Sequence, residues 1–254
     1  MDIEEIRKAL KDFEQKNGFM QFDMKTIMFD MDGVLFNSMP NHARSWHKAM
    51  EFFGLDLPED EAYMHEGRTG ASTINIVTQR QLGRSADAAE CEKIYKKKSE
   101  LFNLCPEAKR MDGAFETVTA AKAAGITPTI VTGSGTASLL SRIEQNFPGL
   151  FRSEWMVAAK DVKIGKPNPE PYLMGMKKAG GLTPQQTMVV ENAPLGVQAG
   201  VAAGCFTIAV NTGPLPDSAL TDQGANLLFH SMTELSQYIA DIIHEANHPT
   251  PTGL

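Results

Sequence analysis

Asp30 and Asp32 stand one residue apart in TIMFDMDGVLFNS, Thr26 to Ser38. An apolar run precedes them and a glycine follows. Two carboxylates at the end of a buried strand can divide one reaction: one serves as nucleophile and metal ligand, the other as acid and base. Asp30, straight off the strand, is the better-fixed nucleophile. Asp32, past the turn, can reach a leaving-group oxygen. Neighbouring carboxylates push at least one pKa upward, which would help Asp32 carry a proton; a bound metal works against that shift.

Other polar residues also close apolar runs. Thr132 ends the second, in VTGSG, where Gly133 and Ser134 follow it. Lys166 lies in KIGKPNPEPY, after the third, and the fourth ends in Glu191 and Asn192. Lysine, hydroxyl and backbone N–H groups hold phosphate. Carboxylate and carbonyl oxygens suit Mg²⁺, which takes a few protein ligands and completes its shell with substrate oxygens.

These stations need a scaffold that gathers strand ends at one edge. Short β-branched or apolar runs occur at TIMF, TPTIVT (Thr127 to Thr132), WMVAA (Trp155 to Ala159), TMVVE (Thr187 to Glu191), FTIAV (Phe206 to Val210) and NLLF (Asn226 to Phe229), with helical patterns between most of them. Near-continuous apolar strands joined by helices predict an α/β fold, a Rossmann-like parallel sheet with helices on both faces. Ligands bind such sheets beyond the carboxyl ends of the strands. The alternation breaks once. Between the first run and the second, NHARSWHKAMEFFG, ASTINIVTQRQLG and DAAECEKIYKKKSELFNL all read as helices. Residues 37–109 are therefore expected to form an inserted α-helical cap domain on a core of residues 21–36 and 110–245. The crossings, near FNSMP and CPEAKRMDG, carry Pro and Gly and suit hinges. Residues 1–20 read as an amphipathic helix that docks on the body or on a partner chain, with Ile3, Ile6, Leu10 and Phe13 at helical spacing and Gly18 as its stop. Residues 246–254 are expected to be a flexible tail.

The chain of 254 residues is 42% hydrophobic, which allows a sizeable buried core. Its formal net charge of -7 disfavours nucleic acid as a partner, while a small anionic substrate depends on local charge. Cys91, Cys105 and Cys205 are far apart and form no CxxC pair, so they read as packed thiols of a reduced, cytoplasmic chain. No stretch approaches the roughly 20 apolar residues of a membrane span. The N-terminus is too charged for a signal peptide.

The four stations closely resemble those of the haloacid dehalogenase superfamily of phosphotransferases: DxDGV, a later VTGS, GKPxPxxY and the acidic VVEN. The insertion just after DxDGV resembles the helical cap of the β-phosphoglucomutase-like branch. The resemblance implies that Asp30 attacks phosphorus and forms an aspartyl-phosphate, and that Asp32 protonates the leaving group and then activates water. It implies that Thr132 and Lys166 hold phosphoryl oxygens. It also implies that Mg²⁺ is bound by Asp30, the Asp32 backbone carbonyl and Asn192, with Glu191 in or next to that shell. The branch commonly has Glu-Asp where this chain has Glu191-Asn192, so the metal site loses one negative charge.

In this branch the cap selects substrate. YMHEGRTGAS (Tyr63 to Ser72) matches the cap loop that faces the site, with Glu66 and Arg68 as its charged members, and YKKKSELF offers Lys96, Lys97 and Lys98. HEGRTGASTINIV, KKKSELFN and VVENAPLGV resemble a narrower group, the bacterial inorganic pyrophosphatases of this superfamily. There a cap glutamate and a cap lysine are functional; by position they are Glu66 and Lys98. The reduced charge at Asn192 suits pyrophosphate, the more highly charged substrate. Inorganic pyrophosphatase is the leading expectation, with sugar-phosphate phosphatase or β-phosphoglucomutase as the alternative. The partner is a small phosphate-containing molecule in either case.

Rival readings fit less well. A phospho-acceptor signalling domain would be shorter and lack the insertion. A dehalogenase attacking carbon would need neither Asp32 nor a metal. GSGTAS (Gly133 to Ser138) falls short of GxGxxG and reads as a phosphate turn before a helix. The histidines, His42 and His65 among them, show no metal-ligand spacing and read as packed or surface residues.

Overall fold

A computed structural model describes residues 1–134 and 139–248 of the chain. Five parallel strands form one sheet: β1 Thr26–Phe29, β2 Thr127–Ile130, β3 Thr187–Glu191, β4 Phe206–Val210 and β5 Leu227–Phe229, in the order β2-β1-β3-β4-β5. Successive residues of a strand point to opposite faces. Ile27 and Phe29 of β1 join the larger core with Met188 and Val190, under helices α6 (Ala114–Ala123) and α11 (Met232–Asn247). Met28 and Val189 face the other way, under α8 (Glu170–Lys178) and α9 (Pro194–Ala202). Helices α7 (Leu139–Asn146) and α10 (Ser218–Thr221) complete the covering layers.

The register matters for the site. Phe29 pairs with Ile130 on one side and with Val190 on the other. The residues immediately after them, Asp30, Val131 and Glu191, therefore come level at one sheet edge. Backbone bonds of 2.9 Å from Asp30 N–H to Val190 O and from Val131 N–H to Phe29 O hold that level.

The run Trp155 to Ala159, expected as a strand, is reduced to a single parallel bridge between Val157 and Val131. Three-residue 3₁₀ turns at Ser153–Trp155 and Ala159–Asp161 take up its flanks. The cause is local: the Asp161 carboxylate accepts the Ala158 N–H at 2.9 Å and curls the backbone away from the edge of the sheet.

Four helices form the insert: α2 Met39–Phe52, α3 Glu59–Met64, α4 Gly70–Leu82 and α5 Ala88–Asn103. They bury a small core of their own that includes Trp46, Met50, Leu57, Ile74, Val77 and Ile94. The chain enters and leaves this insert side by side. Phe36 bridges Arg110, and the Asn37 and Met111 N–H groups bond the Lys109 and Leu35 carbonyls, each at 2.9 Å.

Helix α1 (Ile3–Asn17) opens with a reciprocal Asp2–Glu5 capping box and closes on left-handed Gly18. It docks on the body: Phe13 meets Phe22 and Phe206 edge-on, and Arg7 pairs with Glu245 of α11 at 2.8 Å. Helix α11 runs two residues into the expected tail. Ala246 is buried there, and the Asn247 side chain accepts the Met24 N–H at 2.8 Å. The rest of that tail from residue 249, and Gly135 to Ser138 of the phosphate turn, lie outside the described residues. Among the described residues, no helix is long and apolar enough to cross a membrane.

Candidate active site

The sheet edge supplies one wall of a cavity of about 440 Å³. Both oxygens of Asp30 are engaged: Lys166 Nζ donates to Oδ1 at 2.5 Å and the Asp32 N–H donates to Oδ2 at 2.9 Å. Lys166 also lies 2.5 Å from Glu191 Oε1, so one ammonium bridges two carboxylates. The Tyr172 hydroxyl of α8 donates to Glu191 Oε1 at 2.6 Å, and the Asn192 N–H donates to its Oε2 at 3.1 Å. Space for this carboxylate comes from Gly196 of α9, where a Cβ would lie 2.0 Å from the Glu191 carboxyl.

Burial raises the Asp30 pKa well above the usual carboxylate range; Lys166 opposes that shift, while Glu191 and Asp32 add to it. Burial disfavours the charge on Lys166, yet Asp30 and Glu191 outweigh it and hold the ammonium above its ordinary value. Asp32 behaves in the opposite way to Asp30. Burial works against its ionised form, but His42 and the hydroxyls of Ser38 and Ser134 outweigh it and hold the carboxyl well below its usual value. Ser38 Oγ donates to Oδ1 at 2.5 Å, Ser134 Oγ donates to Oδ2 at 2.8 Å, and His42 Nε2 lies 3.5 Å from Oδ1. The upward shift expected to help Asp32 thus falls on Asp30. Donors aimed at Asp32 stabilise its charge, and Asp30 has a second carboxylate at its back.

Thr132 extends from the end of β2 and accepts the Ser134 N–H on Oγ1 at 3.0 Å, which closes the turn through Gly133. Asn192 is buried with its Oδ1 unpaired. Gly33, at φ +89°, leaves room beneath it, since a Cβ there would lie 2.0 Å from Asn192 Nδ2. Among the described residues, no group of three or more His, Cys, Asp and Glu side chains is arranged to hold a metal. An oxygen set of the Asp30 carboxylate, the Asp32 carbonyl and the Asn192 amide does suit Mg²⁺, and the unpaired Asn192 Oδ1 is the open donor such an ion needs. Glu191, with both oxygens in use, fits the counter-ion of Lys166 better than an open ligand.

The insert supplies the opposite wall: His42 and Trp46 from α2, Glu66 and Arg68 from the turn after α3, and Lys98 from α5 all line the cavity. Lys98 lies one helical turn beyond buried Ile94 and is itself only 7% exposed, whereas Lys96 points to solvent and Lys97 lies over Phe52. Its Nζ is 3.0 Å from His42 Nδ1, and the ring of Phe102 lies beneath it at 4.8 Å. An ammonium only donates, so His42 Nδ1 accepts and its Nε2–H faces Asp32. Burial pushes the Glu66 carboxyl up and the Lys98 ammonium down. The Arg68 Nε is buried without a partner. Gly67, between Glu66 and Arg68, packs on the Lys166 side chain and joins the two walls.

The structure brings Asp30, Asp32, Thr132, Gly133, Ser134, Lys166, Glu191 and Asn192 together at the sheet edge, with Glu66, Arg68 and Lys98 facing them. Sequence reasoning gave no role to Ser38, His42 or Tyr172. Ser38 and His42 are four residues apart at the start of α2, the spacing of one helix face, and Tyr172 closes the GKPxPxxY station itself.

A family model described as haloacid dehalogenase-like hydrolase matches residues 24–204. Hexitol phosphatase A of Escherichia coli (strain K12) is 34% identical over 217 residues, 84% of this chain and 93% of that protein. Glycerol-1-phosphate phosphohydrolase 2 of Saccharomyces cerevisiae is 29% identical, over 76% of this chain and 77% of its own. A solved Bacteroides vulgatus structure, described as a provisional β-phosphoglucomutase, is 55% identical with a TM-score of 0.93, covering 97% of this chain and all of that one. Matches of that extent settle the family: the chain belongs to the haloacid dehalogenase-like hydrolases.

Proposed function

We propose that the protein is a Mg²⁺-dependent phosphohydrolase whose substrate is a small phosphorylated sugar or polyol. The observation that carries this reading is the division of labour between two adjacent carboxylates. Asp30 is clamped on Lys166, while Asp32 is held apart by Ser38, Ser134 and His42, and both lie beside a cavity roofed by the insert.

In its ionised form, which the Lys166 ammonium favours, Asp30 attacks phosphorus through a carboxylate oxygen as the bond to the leaving oxygen breaks. Asp32, ionised in the free site, takes the proton that a phosphate monoester monoanion brings with it and passes it to that leaving oxygen. Its ionised form then takes the proton of the water that hydrolyses the aspartyl-phosphate. Lys166 and Thr132 hold the non-bridging oxygens. Bound by Asp30, the Asp32 carbonyl and Asn192, Mg²⁺ would neutralise phosphoryl charge. Residues 37–109 act as a cap that swings about the paired crossings at Phe36 and Arg110 to admit substrate and exclude water. The free cysteines fit a cytoplasmic setting.

The named relatives act, by their descriptions, on hexitol and glycerol phosphates, which supports sugar or polyol phosphates over the pyrophosphate first expected. Pyrophosphate remains the second reading. Lys98 and Arg68 bring two cations to the cavity opposite Lys166, and Asn192 removes a negative charge from the metal site. Phosphate release with Mg²⁺, comparing hexitol, glycerol and hexose phosphates with pyrophosphate, decides between them. A sugar or polyol phosphate with the highest kcat/KM supports the proposal. Pyrophosphate ahead by orders of magnitude transfers the function to the second reading. Isomerised sugar phosphate without phosphate release makes it a mutase. Activity that survives a chelator sinks the Mg²⁺ requirement.

A further inference from the structure

His65, which caps the C-terminus of α3, lines the same cavity and takes no part in the chemistry above. Its Nε2 lies 3.2 Å from Glu61 Oε1, one turn back on α3. Arg80 of α4 donates to that same oxygen at 2.6 Å and to the Asp56 carbonyl at 3.0 Å. Burial works against the charge on Glu61, but Arg80 and His65 outweigh it and hold the carboxyl below its ordinary value. Glu61 is therefore ionised and only accepts, so His65 Nε2 carries the proton.

That settles the other nitrogen. The charged groups that act on the ring are Glu61 on its own helix, Arg80 of α4 and Arg68 of the following turn. Burial is the largest influence and lowers the imidazole pKa; Glu61 opposes it, and the two arginines add to it. The ring is neutral near pH 7, and Nδ1 is a lone-pair acceptor. It is buried and has no hydrogen-bond partner. Native folds seldom leave such an atom unpaired without a use for it. Three residues on, the Arg68 Nε–H is a donor in the same condition.

We infer that His65 Nδ1 accepts a hydrogen bond from a hydroxyl of the leaving group, and so selects sugar and polyol phosphates over phosphates that lack that hydroxyl. A hydroxyl both donates and accepts, so it can answer an acceptor such as His65 Nδ1 and still bond a donor elsewhere. Pyrophosphate carries no alcohol hydroxyl for His65 to read. The inference rests on the reading that the substrate is a sugar or polyol phosphate.

Two substitutions separate this role from a structural one. His65→Gln places an amide near the Nε2 position and keeps a donor for Glu61, but it removes the Nδ1 acceptor. His65→Asn places an amide oxygen near Nδ1 and gives up the reach to Glu61. The experiment measures kcat/KM of wild type and both variants on glucose 6-phosphate, on its monodeoxy analogues and on pyrophosphate. In wild type, one deoxy analogue should fall about tenfold to a hundredfold below its parent. That ratio should collapse toward one in His65→Gln and be largely restored in His65→Asn. If His65→Gln keeps the ratio, or lowers parent and deoxy analogue equally, the inference is overturned while the substrate class stands. A wild-type enzyme that turns over pyrophosphate and no sugar phosphate overturns both.

Discussion

On the sheet side of the cavity, Lys166, Asp30, Glu191 and Tyr172 satisfy one another, each at most 5% exposed. On the insert side, His65 Nδ1 and Arg68 Nε are left without partners, and burial shifts Glu66 and Lys98 toward their neutral forms. The first wall is finished before any substrate arrives, as groups that act on developing charge need to be. On the function proposed above, the second wall is completed by the substrate. Among the described residues at the strand ends, Asn192 Oδ1 breaks the pattern, and it is the donor assigned to the metal.

Breaking the finished wall should have the largest effect. Asp30→Asn removes the nucleophile, and single-turnover phosphate release should fall by about four orders of magnitude or more. A loss of less than tenfold would mean that the attacking group lies elsewhere. Lys166→Met strands two buried carboxylates, and denaturant unfolding should show a loss of about 3–5 kcal/mol together with the loss of turnover. Lys98→Met should cost far less stability, below about 1 kcal/mol, because the Lys98 ammonium is held by one hydrogen bond to His42 rather than between two buried carboxylates; it should instead raise KM about tenfold. Equal stability losses for Lys166→Met and Lys98→Met would erase the contrast between the walls.

The smallest effect lies outside both walls, at His230 on the strand-end surface. Its ring is 2.9 Å from Asp217, which raises its pKa through a hydrogen bond and charge. The pair therefore adds stability below the ordinary histidine value, and that contribution is lost as pH rises through the folded-state value. The gap in Tm between wild type and His230→Asn should be greatest near pH 5.5 and gone by about pH 8, and no more than about a degree at an exposed site. A gap that widens with pH would reverse the assigned sign.

The finished wall was also the legible one. TIMF, TPTIV, TMVV and FTIAV each give way at once to a polar residue, and a parallel register then brings the ends together. WMVAA carries the same apolar signal, but no sequence pattern announces that Asp161 will turn the chain aside after one bridge. Lys98 was readable in part, since Ile94 one turn earlier marks the buried face of α5. His42 was not. Its contact with Asp32 spans the crossing into the insert, so it depends on how α2 leaves that crossing rather than on any local pattern. The pyrophosphate expectation leaned on the insert wall as well, and that is where likeness of residues says least about the molecule that completes them.

The paired crossing at Phe36 and Arg110 has an evolutionary consequence. Neighbouring antiparallel residues lie only about 5 Å apart, so two cuts at that seam would release the whole roof and leave the five-stranded sheet tied as before. A lineage can then exchange or remodel its roof like a cartridge. Ser38 and His42, which hold Asp32, lie beyond the cut and travel with the roof, so an exchanged roof must bring their like.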